Sequence, residues 1–357
     1  MKKITVGMIG SHSAEEIATS AKANGFETVV FCQEGREKFY TQYNKHLFDH
    51  TMVLDAFRDI LEPQNLGRLQ DLNTVVVPNR SLSVYLGYDG LEKEFNVPIY
   101  GNRALFRIED RTYEQDQYWL MKKAGIRLPH QYSHNNIPGL AIVKVQQKNN
   151  PLERAFFYTT SSEDLESQAR DLIAKNIIDE HEFRNSVVEE FVLGPRFNAN
   201  FQAYGMQESF GRFDFVGFDD RVQTNLGGLL NLPARDQLKF SVPLKNEEVG
   251  HKGVTMRESK KILVYDAAEQ YLDAVEQHFP PKQIGMFALQ GALNEESEFV
   301  IFDISPRVPG APVLGPTSPE LRRLSLKYHK PLHSPLDLCM MDLQQALEEN
   351  CMAEVTT

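Results

Sequence analysis

AIVKVQQKNNPLERAFFYTT, residues 141–160, reads as a strand, a polar turn and a second strand, with a lysine set inside the first strand at Lys144. Ala141 to Val145 is β-branched and apolar around that lysine, and Phe156 to Thr159 is aromatic, so the two are predicted to pair as a hairpin. A strand lysine of this kind points to a phosphate contact. The loop behind it contains no glycine, so whatever closes over a phosphate here is a Pro-bearing segment with two cations, Lys148 and Arg154.

Upstream of the hairpin the pattern changes. Ile4 to Ile9 is β-rich, and from Ser13 the apolar residues Ile17, Ala18 and Ala21 recur at helical spacing before Gly25. Ser13 and Glu16 have the spacing of a capping box. Phe26 to Cys32 and Thr74 to Val77 read as further strands. Strands alternating with helices imply a parallel, doubly wound sheet over roughly the first 100 residues. A helix from Thr112 to Lys123, stopped by Gly125, closes this part.

Downstream, a helix is predicted from Ser161 to about Lys175 and a strand over Val187 to Leu193. Phe197 to Val216 is aromatic and alternating, as in antiparallel strands. Ser259 to Gln277 reads as a helix with Ile262, Leu263, Tyr265, Ala268 and Tyr271 in the core. Met286 to Gln290 and Glu298 to Asp303 read as two strands, and Leu336 to Leu347 as a terminal helix. The expected class is α/β plus α+β.

The 357 residues fit two or three packed units, and 41% hydrophobic with 24% charged residues favours neither disorder nor a fibrous class. A net charge of −11 without a basic block argues against nucleic acid as a partner. Cys32, Cys339 and Cys351 have no metal-ligand spacing, which reads as a reducing compartment. MKKITVGMIG ends its apolar run too early for a signal peptide, and no stretch of about 18 apolar residues marks a membrane span. A cytoplasmic protein is expected.

Three constellations carry chemistry. Gly10-Ser11-His12-Ser13 joins the first strand to the first helix, where N–H groups, hydroxyls and an imidazole suit a phosphate; an ordinary N-cap corner has the same composition. Val77-Pro78-Asn79-Arg80-Ser81 ends another strand on the same expected carboxyl edge, where open α/β sheets bind ligands; an isolated Arg80 reads equally as a solvated surface residue. The third is Lys144, the pair Glu189-Glu190 before Phe191-Val192, and Gln290 with Asp303, whose separation suits a hairpin that brings an amide and a carboxylate oxygen to one Mg²⁺. An ordinary hairpin has that spacing too. Arg307 and Gly310 follow Asp303, an arrangement suited to transferring phosphates. Lysine strand, acidic hinge and carboxylate hairpin, in this order, are the parts of an ATP-grasp ligase.

The sequence resembles the archaeal-type formate-dependent AICAR ligases, the 5-formaminoimidazole-4-carboxamide ribonucleotide synthetases of the ATP-grasp superfamily. The resemblance runs through Ile9 to Ser13, Val75 to Pro78, Val97 to Arg103, Ala124 to Pro129, Ile142 to Lys144, Glu189 to Gly194, Leu232 to Leu238, Arg257 to Ser259 and Asp303 to Gly310. It implies a Rossmann-like, ribonucleotide-binding domain over residues 1–125 and an ATP-grasp fold with antiparallel sheets over 126–357, its lid about 130–195 and its C-terminal part about 196–357. It implies that His12, Ser81 and Asn225 contact the ribonucleotide, with ATP between two sheets, Lys144 on its phosphates and Glu190 to Val192 at adenine. Gln290 and Asp303 match the family's metal ligands for Mg²⁺, or Mn²⁺. Formate would take the γ-phosphoryl group as formyl phosphate, which the 5-amino group attacks, with Lys144 and Arg307 neutralising charge. A homo-oligomer is also implied.

Departures from the family pattern cluster around the triphosphate. Residues 146–154 replace a run rich in Gly and Arg, Trp119 stands where a lysine is usual, Asp303 replaces Glu, and Asn79-Arg80 replaces His-Gly. Two readings stay open: a ligase of this type, or one with a different amine or carboxylate, and a ligase-derived protein that binds a ribonucleotide without turning over ATP.

Overall fold

A computed structural model describes residues 3–110, 112–146, 154–225, 228, 230–237, 239, 246–310, 314–315 and 318–357, with the backbone alone for 154, 223, 224 and 246–248. The N-terminal part holds β1 (Thr5–Ile9), β2 (Glu27–Gln33), β3 (His50–Leu54) and β4 (Thr74–Val76) in a parallel sheet of order β3-β2-β1-β4. Successive side chains serve opposite faces. Val30, Cys32, Val75 and Val77 pack with Ile17, Ala18 and Ala21 of the helix Ala14–Ala23, whereas Val29, Phe31 and Val76 pack with Leu66, Leu69, Leu82 and Leu86 on the other side. Helices on both faces explain why these strands are almost wholly apolar.

Some local expectations are corrected. Ser13 does precede the first helix, but its φ of 69° is left-handed and its side chain makes no capping bond, so Ser13 and Glu16 form no capping box. The helix expected from Thr112 begins only at Gln117, because the Asp116 side chain caps it by accepting from Trp119 N. The edge strand β3, half exposed, has too little apolar pattern to be read from sequence.

Two antiparallel sheets follow. β5 (Gln131–Tyr132), β6 (Ala141–Gln146), β7 (Arg154–Thr159) and β8 (Val187–Glu190) pair in the order β5-β8-β6-β7. The predicted hairpin is present, with Lys144 opposite Phe156, while Lys148 lies outside the described residues, as does most of the loop. β9 (Arg196–Ala203), β10 (Phe213–Thr224), β11 (Asn246–Val254), β12 (Gly285–Leu293) and β13 (Phe299–Ser305) form the second sheet, of order β11-β10-β9-β12-β13. Phe197, Ala199 and Phe201 of β9 face a core with Ala268 and Tyr271 of the helix Glu258–His278. Ile262 of that helix, expected in the core, is 57% exposed.

The other face of β9 presents Asn198, Asn200 and Gln202, all buried. Buried amides need partners, and Gln202 finds them in a network that crosses the chain. Gln202 Nε2 donates to Tyr100 Oη at 2.8 Å, Tyr100 donates to Asp342 at 2.9 Å, and Asp342 accepts from Gly205 N and Met206 N. Tyr204, Met286, Leu338 and Leu343 share a core with Val6, Met8 and Val30, and Thr357 exchanges backbone hydrogen bonds with Ile99. The second sheet and the C-terminal helix Leu336–Glu348 thereby fix the parallel sheet against the polar face of β9.

Candidate active site

The carboxyl edge of the parallel sheet meets the Asp303–Gly310 run. Asn79 Nδ2 donates to His12 O at 2.5 Å, Asn79 forms a parallel bridge with Val308, Val308 N donates to Pro78 O at 3.1 Å, and Ser13 Oγ donates to Pro309 O at 3.5 Å. Ser11 N is turned back to Ile9 O. Three segments far apart in sequence thus form one corner, with Ser81 in the first turn of the helix Arg80–Leu86. Asn225 lies exposed beyond β10, and its carbonyl accepts from Gly228 N.

Arg80 and Arg307 share a carboxylate that sequence reasoning missed. Arg80 Nη1 lies 2.7 Å from Glu109 Oε2, and Arg307 Nη2 lies 2.8 Å from Glu109 Oε1. Glu109 raises the Arg80 guanidinium further, whereas burial pulls Arg307 down from its ordinary value against the opposing pull of Glu109. Glu109 between the two guanidinium groups, with Asp303 also acting on Arg307, fixes two cations in a partly buried corner. Arg80 is therefore not a loose surface residue. No local pattern marks Glu109, because its partners lie 29 and 198 positions away.

Across the second sheet a polar row forms from register alone. Asp303 pairs with Gln290, Gln290 with Asn198, and Asn198 with Asp219, so four neighbouring strands present these side chains on one face. The register shifts between Gln290 and Gly291, an irregularity of the kind that re-aims side chains beside active sites. Gln290 Nε2 donates to Ser305 Oγ at 3.2 Å, which leaves the carbonyl oxygen as the end a cation can use. Among the described residues no group of three His, Cys, Asp or Glu could hold a metal ion. An amide and a carboxylate oxygen fit a hard cation that completes its shell with phosphates and water.

In the smaller sheet, Lys144 is ion-paired with buried Glu189, whose other oxygen accepts from Tyr118 Oη at 2.8 Å. Glu190, one residue on, faces the opposite way and accepts from Arg127 Nη2 at 3.1 Å and His130 N at 3.0 Å. The two glutamates read as a pair in sequence thus do different things: Glu189 holds the lysine and Glu190 holds Arg127 and the His130 backbone. Val192 is buried against Ala292, Val300 and Phe302, where the two sheets meet.

One helix ties Lys144 to Asp303. Gln117 Oε1 accepts from Ile304 N at 2.5 Å, and the next residue, Tyr118, holds Glu189. The lysine of one sheet and the carboxylate of the other are therefore positioned by consecutive residues. Trp119 turns away from both, its ring meeting those of His278 and Phe279 edge-on at 5.0 and 6.4 Å. Tyr118 and Gln117 could not be singled out beforehand, since an amphipathic helix needs both types for ordinary packing.

Comparisons with known proteins agree with this architecture. Residues 6–132 match the family model described as "Protein of unknown function (DUF1246)", and residues 164–357 match that described as "Domain of unknown function (DUF1297)". A 5-formaminoimidazole-4-carboxamide-1-(beta)-D-ribofuranosyl 5'-monophosphate synthetase from Methanopyrus kandleri is 33% identical over 312 residues, covering 87% of this chain and 84% of the relative. The crystal structure of an IMP biosynthesis protein PurP from Thermococcus kodakaraensis superposes with a TM-score of 0.69 at 23% identity, covering 99% of this chain and 100% of that one. An N5-carboxyaminoimidazole synthetase from Staphylococcus aureus, solved with ADP, gives a TM-score of 0.57 at 14% identity over 94% of this chain and 76% of that one. The fold is that of the ATP-grasp ligases, and the chain belongs to the family of 5-formaminoimidazole-4-carboxamide-1-(beta)-D-ribofuranosyl 5'-monophosphate synthetases.

Proposed function

We propose that this protein is an ATP-dependent ligase that formylates the 5-amino group of AICAR with formate in purine biosynthesis, releasing ADP and phosphate. Family membership gives the reaction. The observation that supports carrying it to this chain is one helix whose Gln117 accepts from Ile304 N, beside Asp303, and whose Tyr118 donates to Glu189, the partner of Lys144. Phosphoryl transfer asks a protein mainly for alignment and charge neutralisation.

In this reading, ATP lies between the sheets, its adenine beside Glu190 to Val192 and its phosphates toward Lys144. Gln290 and Asp303 would hold Mg²⁺, whose role when bound would be to neutralise phosphate charge. The ribonucleotide is taken by residues 1–125 through the corner of Ser11, His12, Ser13 and Ser81, with Asn225 reaching it from the ATP-grasp part, residues 126–357. Arg307 sits where that corner meets the Asp303 run, so its charge can serve the carboxylate being activated. Formate attacks the γ-phosphorus to give formyl phosphate and ADP, and the amine then displaces phosphate. The changed turn at Asn79-Arg80 is compatible with this, because Asn79 itself carries the His12 backbone and Arg80 completes the Glu109 clamp.

Incubation with ATP, Mg²⁺, formate and AICAR, omitting each in turn, tests the reading. Formylated ribonucleotide together with ADP is expected only from the complete mixture. ADP release that needs neither formate nor AICAR is plain ATP hydrolysis and would overturn the reading.

A further inference from the structure

Strands β9, β10 and β11 bury a carboxylate and an imidazole that the reading above leaves without a task. Asp219 is 1% exposed, and both its oxygens are held: Asn198 Nδ2 donates to Oδ2 at 2.8 Å and Asn200 Nδ2 to Oδ1 at 2.6 Å. His251 Nδ1 lies 2.5 Å from Asp219 Oδ2. A carboxylate only accepts, so Nδ1 carries the proton and Nε2 is the basic nitrogen of the neutral ring.

That nitrogen packs against Gly310, at the end of the Asp303–Gly310 run that meets the His12 corner. A Cβ at Gly310 would lie 1.9 Å from His251 Nε2, so residue 310 has to lack a side chain for the ring to stand where it does. The ring also stacks on His12, with centroids 5.8 Å apart and planes at 17°. Asp219 is the last member of the row that begins with Asp303 and Gln290. The dyad thus connects the polar row, through Asp219, to the ring of His12. The charged and titratable groups around it include Asp219, His12 and Arg221, the last directly opposite His251 in register.

We propose that His251, oriented by Asp219, is the proton acceptor for amine attack on the activated formyl group. The inference rests on the ligase reading. In the step, a C–N bond forms between the 5-amino nitrogen and the formyl carbon, and the bond from that carbon to the phosphate oxygen breaks. Phosphate leaves with the electron pair, and the amine proton passes to His251 Nε2. The imidazolium so formed is stabilised by Asp219, and its proton is then lost to phosphate or water.

The test measures ADP and formylated ribonucleotide separately in the complete assay on the full chain. Wild type should give one product per ADP; if it needs neither formate nor AICAR, the ligase reading fails before any variant is made. In His251→Gln, product formation should fall about 100-fold, the lower range for loss of a general base. ADP release should fall far less, because formyl phosphate hydrolyses while it waits for the amine, so the ratio of ADP to product rises well above one. Asp219→Asn should shift the ratio the same way by a smaller factor. His251→Asn serves as a second replacement should the glutamine variant show no cooperative melting. A ratio that stays at one, whether turnover is unchanged or both products fall together, would overturn the proposal.

Discussion

In the parallel sheet the candidate contacts sit at strand-to-helix corners, at 10–13 and 78–81, whereas in the five-stranded sheet they sit inside strands, at Asp303, Gln290, Asn198 and Asp219. The corner is held where side chains meet backbone, as Asn79 Nδ2 does at His12 O, and by backbone bonds such as Val308 N to Pro78 O. The strand row depends on side chains whose spacing is set by register, and a one-residue slip would turn each of them to the opposite face. Substitutions in the row should therefore affect chemistry, and those in the corner should affect binding.

The largest effect is expected at Asp303. Asp303→Asn should lower Mg²⁺-dependent ADP release about 1000-fold, the scale for losing one strong electrostatic group in an active site, while circular dichroism stays that of the wild type. Retained activity would remove Asp303 from the metal site. Lys144→Met should lower kcat/KM for ATP about 100-fold and leave KM for the ribonucleotide unchanged; a change in the latter would show that the two half-sites are not separable. At the corner, His12→Ala should raise KM for the ribonucleotide about tenfold, as for loss of one hydrogen bond to a charged group, with little change in kcat. A fall in kcat alone would break the contrast between corner and row.

Two smaller effects concern stability. A Cβ at Gly194 would lie 1.7 Å from Leu293 O, at the junction where Val192 packs, so Gly194→Ala should destabilise by about 1–3 kcal/mol, read in a denaturant titration. Asp49 gives the smallest. Burial raises its carboxyl, but hydrogen bonds from Lys22 and Thr28 outweigh this and hold it below the usual value. Its stabilisation is therefore present above about pH 4 and lost as pH falls through the lowered value. Asp49→Asn should melt slightly below wild type at pH 7 and together with it near pH 2; a constant difference would assign the effect to packing.

The loop corner was largely legible, since Gly10-Ser11-His12-Ser13 and Val77 to Ser81 are local punctuation with a mechanical reason. Gln290 and Asp303 were legible as a hairpin pair, and they do pair in register. The extension of that pair to Asn198 and Asp219 was not, although alternating Asn198, Asn200 and Gln202 in an apolar strand was a usable sign of a buried polar face. Glu109, Tyr118 and His251 gave no sign, because each owes its role to a partner brought close by folding.

By itself, then, the sequence determined the kinds of element and their order, through apolar periodicity, glycine turns and caps, and it carried enough ordered motifs to place the family. Tertiary structure decided which charges meet. It split Glu189 from Glu190, turned Trp119 against His278 and Phe279, clamped Glu109 between Arg80 and Arg307, and set His251 against His12. Strand periodicity names the face a residue occupies, but only register and the packing of distant elements name its neighbour across that face.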